Sequence, residues 1–300
     1  MSLWIPVTIF AAFAQNLRFM LQKHLKSTKL STTGATFARF LYSFPLVALI
    51  VAGYLAMTGQ EVPVVNGRFA AFAVAGGLAQ ILATMCVVAL FTERNFAVGI
   101  TFKKTETLQT ALIGWMILGE GISLYGLFAI IVGFVGILLL SEPPEGRELG
   151  WKRFFNKATG LGLLSGILFA CSATGYRGAT LSLGLEDVFL RAAFTLSLVT
   201  AGQAAVMAIW MGLREPGELS RVLASWRVAG LVGVFSMFGS LGWFVAFTLQ
   251  TAAYVKALGQ IELLFSFLAT TFIFKERTSA WELVAMGFLT ASILLLVLLI

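Results

Sequence analysis

Apolar runs follow one another along the whole chain, near 3–21, 32–57, 67–91, 96–118, 121–141, 159–179, 187–212, 226–249, 251–274 and 280–300. Most have the roughly 17–25 residues that a helix needs to cross a bilayer. The pattern predicts an all-α integral membrane protein with ten transmembrane helices and almost nothing left for a soluble domain. Two of the runs carry polar residues at helical spacing. In the fourth, Lys103 and Glu106 share a face that Gln109 and Thr110 extend; in the ninth, Lys256 and Gln260 precede Glu262 and Ser266.

Composition agrees with this reading. Of 300 residues, 59% are hydrophobic and 12% charged, against about 25% charged in a soluble domain. The first run carries Gln15, Asn16 and Arg18 and has no basic segment before it, so it reads as a span and not as a cleaved signal peptide. Cys86 and Cys171 fall inside spans and the lone His24 in a loop, so neither a disulfide framework nor a metal site is expected. The net charge of +7 could suggest nucleic acid, but its placement argues otherwise. Thirteen of the 21 Lys and Arg lie in or beside alternate connections, from Lys23, Lys26 and Lys29 in the first to Lys275 and Arg277 in the last; the other connections hold only Arg68. By the positive-inside rule the connections after helices 1, 3, 5, 7 and 9 are cytoplasmic and both termini lie outside.

Shifting the chain by 156 residues lays "KKTETLQTALIGWMILGE" on "GQIELLFSFLATTFIFKE": Glu106 meets Glu262, and Glu120 meets Glu276. Helices 3–5 thereby match helices 8–10. Helices 2 and 7 match at a slightly different shift, with Arg39 in "FARF" and Arg191 in "FLRA". Five helices per half is an odd number, so the second half must enter the bilayer from the other side. The expected domains are 1–150 and 151–300, two inverted five-helix repeats. This is the layout of many secondary transporters, whose substrate sites lie near the midplane at the repeat interface.

The ten runs in two halves, the arginine early in helices 2 and 7, and the endings "LGEGIS…GLFAIIVGFVGILLL" and "FKERTSAWELVAMGFLTASILLLV" resemble the EamA-type transporters of the drug/metabolite transporter superfamily. The resemblance implies transport of a small organic solute, with export more usual than uptake. Family members move amino acids, other metabolites, nucleotide sugars or drugs. Many read as having cytoplasmic termini, where the charges here indicate the reverse. A bacterial inner membrane, a small-molecule substrate, the bilayer as partner and no cofactor are expected. A monomer is compatible with the layout.

Glu106 lies about 15 Å into helix 4 at ~1.5 Å per residue, the middle of a ~30 Å hydrocarbon core. Glu262 reaches a similar depth from the other side. A charge there is costly and usually faces a functional cavity. Glu106 and Glu262 are therefore candidates to bind a substrate ammonium or a proton, and Lys103 and Lys256 to hold a carboxylate. The plainer alternative is an internal neutralising pair. Gln109, Gln260, Gln15, Gln80 and Tyr254 complete the candidate pocket, with Tyr176 and Trp243 among its aromatic walls. Lys104, about 100° round a regular helix from Lys103, is expected to snorkel toward the cytoplasm or join the pocket. Arg39 and Arg191 are gating groups or bind carbonyls at helix ends; Arg18 is a gate or a snorkelling anchor; Glu120 and Glu276 are turn residues. The favoured substrate is zwitterionic and amino-acid-like, moved by alternating access with possible proton coupling. The alternatives are efflux of lipophilic cations and exchange of organic anions or nucleotide sugars. No nucleophile–base pair suggests an enzyme, and no glycine cluster precedes the lysine and threonine of a phosphate loop.

Overall fold

The structure, a computed structural model, describes residues 2–91, 93, 102–140, 157–268 and 280–299. Arg94, Gly99, Lys275, Glu276 and Arg277 lie outside the described residues. The described chain is helical: α1 Trp4–Thr28, α2 Thr32–Thr58, α3 Gly67–Leu90, α4 Glu106–Leu118, α5 Leu124–Leu140, α6 Lys157–Ser182, α7 Val188–Arg214, α8 Glu218–Ala224, α9 Trp226–Leu249, α10 Ala252–Leu258, α11 Ile261–Leu268 and α12 Ala280–Leu299. Six of them, α1, α2, α3, α6, α7 and α9, are long and apolar enough to cross a membrane. The expected spans 96–118 and 251–274 are not continuous helices. Residues 104–105 form a turn before α4, and Gly259–Gln260 form a turn between α10 and α11.

Helix ends follow local chemistry. The side chains of Ser31, Asn66 and Asp187 accept from the backbone N–H of Gly34, Phe69 and Leu190, satisfying donors that the first turns of α2, α3 and α7 leave open. The α2 and α4 ends turn on Gly59 and Gly119 at φ 67° and 69°, where a Cβ would be strained. The loop expected around His24 is helical, because α1 runs on to Thr28. Another expected loop holds the short α8. Its Glu218 is fully buried and accepts from the Ser31 N–H at 2.6 Å, closing α8 over the start of α2. On the opposite side of the molecule, Tyr54 Oη (2.6 Å) and Gln60 Nε2 (3.0 Å) donate to Asp187. Burial works to raise this carboxyl's pKa, and these hydrogen bonds outweigh it and hold it low.

The principal pairings are α3 with α6, α1 with α9, α5 with α12, and α2 with α7 and α9. Lipid is as apolar as leucine, so close approach through small residues must do much of the work. The α3–α6 crossing shows how: a Cβ on Gly175 would lie 3.0 Å from Gly76 Cα and 3.1 Å from the Phe72 carbonyl oxygen. On α9, Gly242 packs against Ala11 of α1 in the same way. The helices α4 and α10–α11 lean on this frame, α4 against α6 and α10, and α11 against α1 and α12.

Gly175→Val should push α3 and α6 apart, at about 1–3 kcal/mol of overpacking, and lower the thermal unfolding midpoint in detergent. Gly202→Ala, with nothing within 4 Å of the added Cβ, should leave it unchanged or slightly raised.

Candidate functional site

The two chain breaks define the site. At each, hydrogen bonds reach back three residues: Thr105 N–H to the Phe102 carbonyl at 3.2 Å in one, Gln260 N–H to the Ala257 carbonyl and Glu262 N–H to the Gly259 carbonyl, each 3.2 Å, in the other. A regular helix resumes after each, and Glu106 and Glu262 fall in the first turns of α4 and α11. This corrects the expected mid-helix position. A carboxylate in a first turn faces the unpaired N–H groups and positive end of the helix, a favourable place for an anion.

Each glutamate meets a lysine from the other break. Lys104 pairs with Glu262, and Lys256 Nζ lies 3.4 Å from Glu106 Oε1. Lys103 approaches the second Glu106 oxygen at 3.8 Å. Gln15 Nε2 donates to Glu262 Oε2 at 3.1 Å, and Gln260 Nε2 to Thr107 Oγ1 at 2.7 Å. Lys104 is only 4% exposed, so it does not snorkel. The turn at 104–105 rotates it away from where a regular helix would put it. The lysines also lie against rings, Lys256 within 5.0 Å of the Trp243 centroid and Lys103 within 5.2 Å of that of Phe169. The close fit of α4 to α6 depends on Gly166, where a Cβ would sit 3.1 Å from the Lys103 carbonyl oxygen.

Beside this ring is a small cavity lined by Gln15, Arg39, Gln80, Tyr176, Trp243 and Lys256 among others. About 30 Å³ of it is open to the centre of a water-sized sphere, room for about two waters. Arg39 is buried in its wall. It donates to Thr84 Oγ1 at 2.9 Å and to Ser240 Oγ at 3.4 Å. The Gln80 amide is oriented by its neighbours, its oxygen 2.8 and 2.9 Å from the two Arg39 terminal nitrogens and its nitrogen 2.6 Å from Ser172 Oγ. All these acceptors are neutral. Arg39 thus binds side chains in the centre, not carbonyls at a helix end. Thr84 and Ser240 are 156 residues apart, the same shift that lays Glu106 on Glu262.

Other expected residues go elsewhere. Arg191 is half-buried on α7 and does not line the cavity. Tyr254 Oη accepts from the Ser123 N–H at 2.9 Å and packs on Gly126, a structural role at the start of α5. Arg18 is buried and donates to Gln22 Oε1 at 2.8 Å, and Gln22 in turn to the Ala35 carbonyl, so it is an internal link from α1 to α2 and not a snorkelling anchor. Gln109 Nε2 donates to Thr105 Oγ1 at 2.9 Å, bracing the break. Glu120 is more than a turn residue: Arg177 Nε donates to it at 2.5 Å, while Nη1 reaches the Phe247 and Gln250 carbonyls at 2.5 and 2.7 Å and so closes the C-terminus of α9. The signal for Arg177 was its place inside a span, where a cation needs a partner. Ser172 and Ser240 gave none. Among the described residues no group of three or more His, Cys, Asp or Glu could hold a metal ion.

Comparison with known proteins bears on the fold. No family model and no curated protein matches the chain. A solved structure described as "Crystal structure of protein" superposes with a TM-score of 0.67 at 12% identity, covering 99% of this chain and 96% of its own. The chain is therefore similar in fold to a known structure over nearly its whole length, and that likeness extends to the fold alone.

Removing one partner of a buried ion pair strands the other charge, on the order of 3 kcal/mol. Lys104→Met should lower the thermal midpoint, and the exchange Lys104→Glu with Glu262→Lys should restore most of the loss. An exchange that fares no better than the single change would mean the two residues are not coupled.

Proposed function

We propose that this protein is a secondary transporter that moves a small organic solute by alternating access between two inverted five-helix repeats of the EamA type, residues 1–150 and 151–300. On this reading it is not an enzyme, and it sits in a bacterial inner membrane with both termini outside. The observation that carries the reading is the crossed pairing of Lys104 with Glu262 and Lys256 with Glu106 at two interrupted helices. Interrupted helices at corresponding places in two halves are a hallmark of transporter binding sites. Two further observations support the repeat. The helix pairings survive exchange of the halves: α3 on α6 answers α1 on α9. Arg39 also grips two hydroxyls related by the 156-residue shift.

The crossed pairs then act as the central latch. Opening on either side must part α4 from α10 and α11, so at least one pair must separate or exchange its partner for water, substrate or a proton. Protonating Glu106 or Glu262 would release its lysine, which is a route to proton coupling. The glutamates are engaged by lysines of the protein, which weakens their expected role as receivers of a substrate ammonium and disfavours efflux of lipophilic cations. A second reading, exchange of organic anions, is favoured by the excess of buried cations among the described residues: Arg18, Arg39, Lys103, Lys104 and Lys256 against Glu106, Glu218 and Glu262.

Glu106→Gln and Glu262→Gln should each slow solute counterflow into proteoliposomes at least tenfold while the protein stays folded, since Gln keeps an acceptor for the lysine. At least one should flatten the pH dependence, because an amide releases no proton. Wild-type rates and pH profiles in both would remove the latch. Orientation is checked separately, with Cys86 and Cys171 replaced by serine. An impermeant thiol reagent on intact cells should label Val64→Cys and not Ser220→Cys, and the reverse pattern would invert the topology.

A further inference from the structure

The cavity beside the latch is asymmetric in charge. Two cations, Arg39 and Lys256, line it, and no carboxylate does. Lys256 shares Glu106 with Lys103, whereas the hydrogen-bond partners of Arg39 among the described residues are hydroxyls and an amide oxygen, with the Phe40 ring centroid 5.1 Å from its guanidinium carbon. In a low-dielectric interior an uncompensated guanidinium is costly, and the usual remedy is an anion. The rest of the wall is aromatic and amphipathic. Tyr176 and Phe244 lie with ring centroids 4.3 Å apart, and Trp243 and Phe247 stack at 5.8 Å. The buried Trp243 indole N–H has no hydrogen-bond partner among the described residues, so it is a donor in reserve. Donors, cations and flat apolar faces converge, and the nearest carboxylates among the described residues, Glu106 and Glu262, stand behind Lys256 and Gln15 and do not line the cavity.

We propose that this cavity binds the carboxylate of a small organic acid with an apolar, flat or branched body. Arg39 and Lys256 hold the carboxylate, Trp243 donates to it, and the body lies among the rings of Phe169 and Tyr176. The inference rests on the transporter reading and narrows its substrate class from amino-acid-like zwitterions to acids that carry no amine. In the described conformation the space accommodates little more than the carboxylate, so the body enters as the helices part around it.

The test uses the purified full chain in detergent and three matched sets of probes. These are 3-phenylpropionate, phenylalanine and 2-phenylethylamine; indole-3-propionate, tryptophan and tryptamine; 4-methylpentanoate, leucine and isopentylamine. Affinity is read by titration calorimetry and thermal shift. In at least one set the acid should bind tenfold or more tighter than the amine and no weaker than the amino acid. Arg39→Gln and Lys256→Met should each weaken that acid at least tenfold, while Arg191→Gln, outside the cavity, leaves it within twofold. Removal of Arg39 also breaks bonds to Thr84 and Ser240 and could unfold the protein; the wild-type ranking needs no variant and decides by itself. The proposal is overturned if no acid binds, or if in every set the acid fails to exceed its amine tenfold or is outranked by its amino acid. Counterflow in proteoliposomes separates the two readings. Acids that bind but are not moved would uphold the site and refute transport. Movement of amines or amino acids with no acid binding would uphold transport and refute the site.

Discussion

The rest of the structure is arranged around one constraint: two carboxylates placed deep in an apolar helix assembly must each find a cation. Neither finds it within its own segment alone. Glu262 is neutralised by Lys104, and Glu106 by Lys256 together with its neighbour Lys103. This crossing ties α4 to α10 and α11, helices separated by about half the chain. The tie is of a particular kind. A buried ion pair is roughly break-even against well-packed apolar groups, yet costly to break one-sidedly. It therefore contributes little to holding the assembly shut if water or a ligand can take over for the departing partner, and a great deal if nothing can. An apolar contact of the same area would resist opening whatever entered.

The helix frame complements this. The α3–α6 and α1–α9 crossings rest on glycine and alanine, with backbones in close approach and few long side chains interlocked. Separating such pairs would forfeit many small contacts at once. The interrupted segments are instead held by a few polar bonds, such as Gln109 to Thr105 and Gln260 to Thr107. Rigid pairs around a polar, discontinuous centre form a natural division between what moves as a body and what changes partners.

Much of the fold was legible in the sequence, because length and hydropathy speak directly to helices in lipid. The glutamates matched at a fixed shift are the two that the lysines of the interrupted segments engage. The break was only hinted at, by Gly99 and Gly259 flanking the charged positions, where they could allow local bending. Neither "FKKTE" nor "ALGQIE" contains proline, and Gly259 adopts ordinary right-handed geometry, so its value lies in letting the Trp243 ring approach. A regular helix leaves Lys104 either to snorkel or to join the pocket, and the turn at 104–105 brings it onto Glu262. Thr84 was readable as a cavity-lining residue, but its partnership with Ser240 on Arg39 was not, for another reason. Serine and threonine in apolar helices commonly bond to their own preceding turn, as Thr36 does to the Thr32 carbonyl. Nothing local distinguishes Ser240. The role of Arg177 depended on Glu120, 57 residues away.

Under the proposed repeat, the two arginines that look equivalent in sequence illustrate how matched halves can become asymmetric. Arg39 reaches Thr84 and Ser240 together, so under the proposed repeat it occupies a place close to the axis relating the halves. Two guanidiniums cannot share such a place without severe repulsion, and Arg191 accordingly lies apart. The cost of this choice is a central charge imbalance that the protein leaves uncorrected. Lys256 connects that imbalance to the latch, because it both lines the cavity and holds Glu106. An anion in the cavity would compete with Glu106 for the same ammonium. A ligand shifts a conformational equilibrium only by what it binds differently in the two states, and a lysine shared between ligand and latch supplies such a difference within a single side chain.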